Sequence, residues 1–388
     1  MSVPQLRFDG FDGEWKQQEL SELLEFKNGI NADKDSYGYG TKFINVLDIL
    51  NNDYILSEKI IGSVNATEQQ LQTYSVTYGD ILFLRSSETR EDVGKCNVYL
   101  DEEKPAVFGG FVIRGKKMVN YSPFFLKASL NNSSARDQIS SKAGGSTRYN
   151  VGQSILSEVT VKVPDIEEQE KISSFLMLLN QRIKKQKEKI EKQEQFKKGI
   201  MQKIFSQELR FKNEDGMEFG EWRSKKLIEE ANIYQPKTIS QKDLVSDGYS
   251  VYGANGIIGY YTQYNHASEQ IAITCRGNTC GTLNFTKQFS WITGNAMVIN
   301  VDENQSVNKK YLYFFLENIS FRSIITGSGQ PQITRDSMKN LGIKLPVIQE
   351  QQKIACFLEH LILKVKKEKE KLIVLEKQKK GFMQRMFI

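Results

Sequence analysis

The chain has 388 residues, enough for two or three domains, and its 39% hydrophobic residues, 26% charged residues and net charge of +6 are typical of a globular protein. No apolar run reaches the ~18 residues of a membrane span, and the N-terminal MSVPQLRFDGFDGEW has no apolar signal core, so we expect a cytoplasmic protein. Four cysteines without a C-x-x-C pair and only two histidines argue against a zinc site and predict reduced structural thiols.

Residues 1–163 are predicted to form a globular α+β part. Runs such as TKFINVLDI, GDILFLRS and AVFGGFVIRG have the length and composition of strands, and glycine and asparagine turns separate them. Ser122–Ile139 is predicted to be a helix that starts around Pro123.

Residues 164–206 are predicted to form a long coiled-coil helix. From Ile172 to Ile204, mostly apolar residues recur at alternating steps of four and three over about five heptads, and lysine and glutamate fill the other positions. Residues 166–206 carry a net charge of +4. An amphipathic helix that lies on its own domain, with a merely solvated lysine face, is the alternative.

Residues 207–345 repeat the globular pattern, and residues 346–388 repeat the helix. The runs QIAITCRG, GTLNFT and NAMVINV are predicted strands, and Lys309–Ile325 is a predicted helix. The final segment carries a net charge of +5 and an equivalent seam that begins at Ile354. We expect a twisted sheet in each globular part.

The chain contains an internal repeat. When Pro164 is laid on Pro346, about forty residues align without a gap, and about half of the pairs are identical. Each globular part also opens alike, with LRFDGFDGEW at Leu6 and LRFKNEDGMEFGEW at Leu209. We expect the two helices to form an antiparallel coiled coil, a rod of roughly 57 Å with a pseudo-twofold axis, a globular part at each end and adjacent chain termini.

Motifs for catalysis are missing from the sequence. It has no G-x-x-x-x-G-K-[ST], no G-x-G-x-x-G on a βα unit, no H-E-x-x-H and no G-x-S-x-G. It also lacks the Asn/Asp-Pro-Pro-aromatic motif of aminomethyltransferases. We therefore expect a chain without catalytic residues, metal or cofactor of its own.

The alternation of two variable halves with two near-identical helices resembles the specificity subunit of type I restriction–modification systems. Each helix is entered by a proline, followed by the Gln-x-x-Ile of Gln169 and Gln351. The second half also carries YGANGIIGYY, ITCRGNTCG and GSGQPQIT. The first half has GGSTRYNV where the second has GSGQPQIT, and it lacks a clear GIIGYY.

The resemblance implies that each half is a target recognition domain that reads half of a split double-stranded DNA site. It implies that the helices space the halves and dock two adenine methyltransferase subunits, which carry S-adenosylmethionine. A motor-nuclease subunit can join them. The domains are then recognition domain 1 (1–163), central helix (164–206), recognition domain 2 (207–345) and C-terminal helix (346–388).

The residues that contact DNA are predicted from side-chain chemistry, because Arg suits guanine and Asn or Gln suit adenine in the major groove. In the first half these are Arg85, Ser86, Ser87, Arg114, Ser146, Thr147, Arg148 and Tyr149; in the second they are Asn255, Arg276, Asn278, Ser328, Gln330 and Gln332. The alternatives for any of them are a phosphate contact or a hairpin turn that needs Gly or Asn. Cys275 and Cys280 are predicted to be buried neighbours across a hairpin.

Two other functions are compatible with parts of the pattern. A restriction–modification protein that is itself catalytic would need the motifs that are missing. A two-lobed coiled-coil scaffold that binds only proteins would need no DNA-contacting loops.

Overall fold

The computed structural model describes residues 3–254, 256–327 and 329–388. Its contacts divide the chain into a first unit, residues 3–187 and 370–388, and a second unit, residues 188–369. Each unit therefore combines one globular part with a half of each long helix. Among the described residues, no helix is long and apolar enough to cross a membrane.

The elements up to the first long helix alternate short strands with short helices. The strands are β1 (Lys16–Glu19), β2 (Leu24–Asn28), β3 (Tyr37–Ile44), β4 (Ser63–Val64), β5 (Ile81–Leu84), β6 (Ser86–Ser87), β7 (Cys96–Val98), β8 (Val107–Phe108), β9 (Val112–Lys117), β10 (Tyr149–Asn150) and β11 (Thr160–Val163). The helices are α1 (Leu20–Leu23), α2 (Val46–Leu50), α3 (Glu68–Tyr74), α4 (Pro123–Leu130), α5 (Ser133–Lys142), α6 (Gln153–Ser157) and the long α7 (Ile166–Phe205), with 3₁₀ turns at Lys34–Ser36 and Ser57–Lys59.

The elements after α7 follow a similar order. The strands are β12 (Arg223–Lys226), β13 (Asn232–Tyr234), β14 (Tyr249–Gly253), β15 (Gly256–Tyr261), β16 (Ile271–Thr274), β17 (Leu283–Phe285), β18 (Trp291–Ile292), β19 (Ala296–Asn300) and β20 (Gly342–Leu345). The helices are α8 (Leu227–Glu230), α9 (Lys309–Asn318), α10 (Arg335–Lys339) and the long α11 (Ile348–Met386), with 3₁₀ turns at Gln241–Asp243 and Phe321–Ser323.

Both globular parts have the same sheet topology. The first has an antiparallel sheet β2-β9-β5-β7 and a sheet β4-β3-β8 in which β3 and β8 are parallel; the second has β13-β19-β16-β17 and β15-β14-β18 with β14 and β18 parallel. The first and last strands of each part pair as well, β1 with β11 and β12 with β20. The predicted α+β class is therefore confirmed, and two dissimilar sequences build one architecture.

The predicted helix at Ser122–Ile139 is broken in the structure. It divides into α4 and α5 at Asn131 and Asn132, because the Asn131 side chain donates to the carbonyls of Lys127 and Cys96 and ends α4. The predicted helix at Lys309–Ile325 likewise ends at Asn318. There the extended Ile319 precedes Ser320, whose side chain accepts from Arg322 N and starts a separate 3₁₀ turn.

The long helices pair antiparallel within each unit, as predicted. In the first unit Ile172 and Leu176 share a core with Met386 and Phe387. In the second unit Met201 and Ile204 share a core with Ile354 and Leu358. All of these except Met201 and Phe387 are positions of the predicted seam, so seam residues contribute most of this helix interface. The predicted closeness of the termini is also confirmed, because Leu6 N donates to Arg385 O at 2.9 Å.

The repeated glutamine fixes the start of each long helix to its globular part. Gln169 Oε1 accepts from Ser122 N at the start of α4, and Gln351 Oε1 accepts from Asn308 N at the start of α9. The Nε2 groups donate to the carbonyls of the entry prolines, Pro164 and Pro346. Both glutamines are buried, so these bonds satisfy polar groups that water cannot reach.

Candidate nucleic-acid interface

In the first unit, the predicted loop residues gather where β5 leaves its sheet. Arg85 follows β5 directly; its N–H donates to Phe111 O at 2.9 Å, and its carbonyl accepts from Val151 N at 3.0 Å. The next two residues form β6 and pair with β10, so that Ser87 lies opposite Tyr149 and Ser86 opposite Asn150. This short ladder brings the SS and RYN segments to one place, although about sixty residues separate them in sequence.

A tight glycine turn presents the tip of the GGSTRYNV loop. Gly144 and Asn150 close the loop by exchanging backbone hydrogen bonds. Gly145 has φ +117, and a Cβ there would lie 2.1 Å from Arg148 O. Only glycine suits that position. The turn leaves the predicted contact residues Ser146, Thr147 and Arg148 exposed.

Two residues that the sequence did not predict join this group. Asn150 accepts a hydrogen bond from Ser86 Oγ through its side-chain oxygen, and the guanidinium of Arg90 lies 5.1 Å from the Tyr149 ring centroid. The only sequence signal was a second arginine five residues beyond Arg85. The loop also carries the exposed Glu88 and Glu91, so its charge is mixed.

Arg114 does not belong to this surface, and its burial argues against the predicted base contact. It is only 5% exposed in β9, where a guanidinium N–H donates to Ser75 O. Burial lowers its pKa, and the negative charges of Asp80 and Glu25 oppose that change. An arginine held this way supports the sheet from inside. Arg85 is also partly occupied, since its Nη1 donates to Gly110 O at 3.1 Å.

In the second unit, the CRGNTCG and GSGQPQIT segments lie against each other. Arg276 and Gln332 form an isolated antiparallel bridge, and Gly277 N donates to Pro331 O at 2.9 Å. The side chains of Arg276, Asn278, Gln330 and Gln332 are exposed. The predicted residues Asn255 and Ser328 lie outside the described residues.

The two loop systems share one backbone framework. Cys275 N donates to Asn295 O, and Cys275 O accepts from Ile333 N. These two backbone hydrogen bonds are equivalent to the two that Arg85 makes in the first unit. Thr326 and Gln332 close the second loop as Gly144 and Asn150 close the first. Arg276 therefore occupies the position of Ser86 and not that of Arg85. The correspondence of GGSTRYNV with GSGQPQIT, noted in the sequence, is seen in these hydrogen bonds.

The turn at the centre of the second loop is built like its counterpart. Gly327 has φ +88, and a Cβ there would lie 2.6 Å from Gln330 O. Cys275 is buried while Cys280 is only partly buried, and both are free thiols. The hairpin that carries them is closed by Gly281 N donating to Thr274 O. The prediction for this pair is thus correct about the hairpin and overstated the burial of Cys280.

Exposed aromatic side chains lie on the three-stranded sheet of each unit, which is β4-β3-β8 in the first unit and β15-β14-β18 in the second. In the second unit they belong to the β14–β15 hairpin, where Tyr249 and Tyr260 are exposed together with Ile257 and Ile258. In the first unit Tyr37 and Tyr39 are exposed on β3, the strand equivalent to β14. These tyrosines are not among the predicted contact residues, because the alternation of residues along a strand does not show which face of the sheet remains exposed.

The chain resembles known proteins over nearly its whole length. A family model described as type I restriction modification DNA specificity domain matches residues 12–193 and 220–377. A protein of Methanocaldococcus jannaschii named as the type I restriction enzyme MjaX specificity subunit is 24% identical over 410 aligned residues, which cover 95% of this chain and 92% of the relative.

Solved structures share the fold. The S subunit of a type I restriction–modification system from M. genitalium has a TM-score of 0.63 at 15% identity, over 100% of this chain and 99% of that chain. A chain from a study of complex assembly and conformational transition of the type I R-M system has a TM-score of 0.59 at 14% identity, over 96% of this chain and 97% of that chain. At 14–15% sequence identity, the similarity to these two structures shows a shared fold and no more.

Proposed function

The chain belongs to the type I restriction modification DNA specificity family, and on that premise we propose that each of its two units reads one half of a bipartite DNA site. The observation that carries the proposal is the shared framework of the two loop systems. Equivalent backbone bonds at Arg85 and Cys275 hold loops whose exposed side chains differ. A constant framework with variable side chains suits two readers of different sequences.

The exposed side chains have the chemistry of base readout. In the second unit Arg276 can donate to guanine, and Gln330, Gln332 and Asn278 can bind adenine edges. In the first unit Arg148 and Arg90 supply the free cationic groups, while Ser146 and Thr147 supply hydroxyls. Glu88 and Glu91 can accept from cytosine or repel misplaced phosphates.

The long helices are proposed to dock two adenine methyltransferase subunits, which bring S-adenosylmethionine, and a motor-nuclease subunit joins this complex. Large apolar side chains that remain exposed on both helices support docking, since contiguous apolar patches are typical of protein contact surfaces. They are Leu178, Ile373 and Val374 in the first unit, and Phe196 and Leu363 in the second. The helices then also set the spacing between the half-sites.

In this proposal the chain itself is not catalytic. Its described residues include no group of three or more His, Cys, Asp and Glu side chains that could hold a metal ion. Methyl transfer and cleavage belong to the partner subunits, and the chain determines where on the DNA they act.

The experiment is methylome sequencing of a host with and without this gene. We expect an adenine-methylated motif with two short specific blocks and an unread gap, present only when the gene is present. An Arg276→Ala variant should relax or change bases in one block, because removing a bidentate guanine contact costs ~1–3 kcal/mol of discrimination.

The matched control is Arg223→Ala, which removes an exposed arginine of the same unit on β12, away from the loops. It should leave the motif unchanged. A motif that persists without the gene, or that responds equally to both substitutions, contradicts the proposal and favours a scaffold that binds only proteins.

A further inference from the structure

A cavity of about 330 Å³ lies in the first unit between α4, α7, α11 and the strand β7. Its lining combines polar and apolar side chains. The polar residues include three lysines and four asparagines, and no carboxylate is among the lining residues that the structure describes. The apolar residues include Phe124, Leu176 and Met383. This volume is in the range of small-molecule sites.

Two of the three lysines have no carboxylate partner in the described ion pairs. Lys95 is neutralised by Asp92 at 2.5 Å. Among the described residues, Lys127 donates to the backbone carbonyl of Asp53 at 2.8 Å and lies 5.1 Å from the Phe124 ring centroid. Lys379 projects from the last turns of α11 into the same cavity. Lys127 and Lys379 therefore have no carboxylate in direct contact among the described ion pairs, although the charge of Asp53 acts on Lys127 from nearby.

One buried polar atom at the cavity has no partner. Asn180 is 7% exposed, lines the cavity, and its Oδ1 makes no hydrogen bond within the described residues. The neighbouring asparagines differ in this respect: Asn97 donates to the carbonyls of Ile49 and Asn52, and Asn131 donates to that of Lys127. A buried acceptor without a donor is costly unless a ligand supplies one.

At two equivalent positions the second unit has an aliphatic or an aromatic side chain where the first unit has a polar one. The helix repeat places Ile362 where the first unit has Asn180. Ser122 and Asn308 are equivalent, because each donates its backbone N–H to the repeated glutamine at the start of a long helix. When α4 is aligned with α9 from these two residues, Tyr313 takes the position of Lys127. Tyr313 packs against Phe285, with ring centroids 5.4 Å apart. The architecture does not itself require a polar cavity here.

We propose that this cavity binds a small organic anion, with its phosphate or carboxylate between Lys127 and Lys379, a hydrogen-bond donor on Asn180 Oδ1 and an apolar body against Phe124, Leu176 and Met383. Phosphate and carboxylate share the required charge, so the experiment distinguishes them. The site is independent of the loops that are proposed to read DNA.

The ionisation of Lys127 agrees with an anion site. Burial lowers the pKa of Lys127 and the like charge of Lys379 adds to this, while the charges of Cys96 and Asp53 oppose it. A bound anion favours the charged form of both amino groups and offsets these effects.

The experiment is a titration of the full chain labelled with ¹³C on its methionine methyl groups. The chain has nine methionines, and Met383 lines the cavity. The probes are inorganic phosphate, phenyl phosphate and benzoate, at constant ionic strength and against sodium chloride. We expect a saturable shift of the Met383 methyl signal, identified with Met383→Leu, and tighter binding of a probe that carries a ring. Phenyl phosphate and benzoate separate the two anionic groups.

Lys379→Gln should weaken binding about tenfold or more, the factor expected for losing a hydrogen bond to a charged group. Asn180→Ile introduces the residue of the second unit and should weaken binding while keeping the fold. Lys116→Gln, an exposed lysine away from the cavity, is the control and should bind like the parent chain. No response of Met383 to any probe, or equal affinities in all variants, overturns the proposal.

Discussion

Arg7 and Glu168 form a bidentate salt bridge that joins the start of the chain to the first turn of α7. Arg7 Nε and Nη2 donate to the two carboxylate oxygens at 2.8 and 2.7 Å. Arg210 and Glu350 make the same pair in the second unit, at 3.1 and 2.7 Å. The two repeated motifs of the sequence, Leu-Arg-Phe and the helix entry, are therefore the two sides of one contact.

Removing Arg7 should destabilise the first unit strongly. Glu168 is buried, with its side chain only 2% exposed, so Arg7→Met leaves an unpaired carboxylate away from water. We expect a cost of about 3 kcal/mol or more in the free energy of unfolding. Denaturant titration, followed by a probe in the first unit, measures it.

The double variant Arg7→Met/Glu168→Gln should recover part of this loss, because the unpaired charge is gone. The exposed pair Lys142–Glu158 in the same unit is the control, and Lys142→Met should change the free energy of unfolding far less, because solvent screens an exposed ion pair. If Arg7→Met and Lys142→Met lower the free energy of unfolding equally, the buried ion pair contributes no more to stability than the exposed one.

The glycine turns should control the two half-sites separately. Gly327→Ala places a Cβ in contact with Gln330 O and requires alanine to adopt a left-handed backbone conformation. That backbone conformation alone costs ~1–2 kcal/mol. We expect weakened methylation with relaxed bases in one half-site. Gly145→Ala should do the same to the other half-site. The methylated motif of cells with each variant is the measurement.

Neighbouring glycines provide the controls for this test. Gly329 and Gly144 have open space at the position of a Cβ and no left-handed backbone, so their alanine variants should keep both half-sites. If Gly327→Ala and Gly329→Ala behave alike, the turn geometry does not position the reading side chains.

Much of the architecture was predictable from the sequence, because periodicity and repetition report on burial. The seam from Ile172 to Ile204 predicted the helix interface, and the repeat predicted its antiparallel direction. The individual contacts were less predictable. Arg114 lies in a strand flanked by glycine, and nothing in the sequence shows that its guanidinium turns inward to Ser75 O. The pairing of Ser86 with Asn150 depends on tertiary folding alone.

The break between α4 and α5 shows a further limit. Asn131 ends α4 by donating to Cys96 O, which lies on a strand 35 residues earlier. Local helix propensity cannot indicate a hydrogen-bond partner that is so distant in sequence. Polar residues whose hydrogen-bond partners are distant in sequence account for the end of α4 at Asn131 and for the buried position of Arg114.

His266 should make the stability of the second unit depend on pH. The imidazole is buried between the Tyr234 hydroxyl, 2.8 Å from Nε2, and Asn265 Oδ1, 2.6 Å from Nδ1. Burial lowers its pKa below the usual 6.5; the charge of Asp302 opposes this and that of Lys309 adds to it. Unfolding therefore takes up a proton below pH ~6.5, and stability falls as the pH falls towards the lower folded pKa.

The denaturant midpoint between pH 7.5 and 5.5 tests this, with His266→Gln as the variant that should lose this pH dependence. His360, the other histidine of the chain, is exposed, and His360→Gln is the control. An NMR titration that gives His266 a pKa above 6.5 would contradict the expectation.

Helix length should set the gap between the half-sites. One heptad added to both helices, starting after Ile183 in α7, keeps the seam in register and adds about 10 Å. The preferred gap should grow by roughly three base pairs at ~3.4 Å each. The seam there is the most polar, and Gln193 has a buried side-chain oxygen without a partner among the described residues. An unchanged gap in the methylated motif would assign the spacing to the partner subunits.

The most direct test of two separable readers is an exchange of residues 209–343 for the corresponding segment of another family member. The exchange leaves the first globular part and both long helices in place, and it includes Arg210, so the donor must supply the arginine that pairs with Glu350. Methylome sequencing of cells with the exchanged protein is the measurement. We predict a motif with one half-site and the gap unchanged and the other half-site replaced by that of the donor. A simultaneous change of both half-sites would contradict the account.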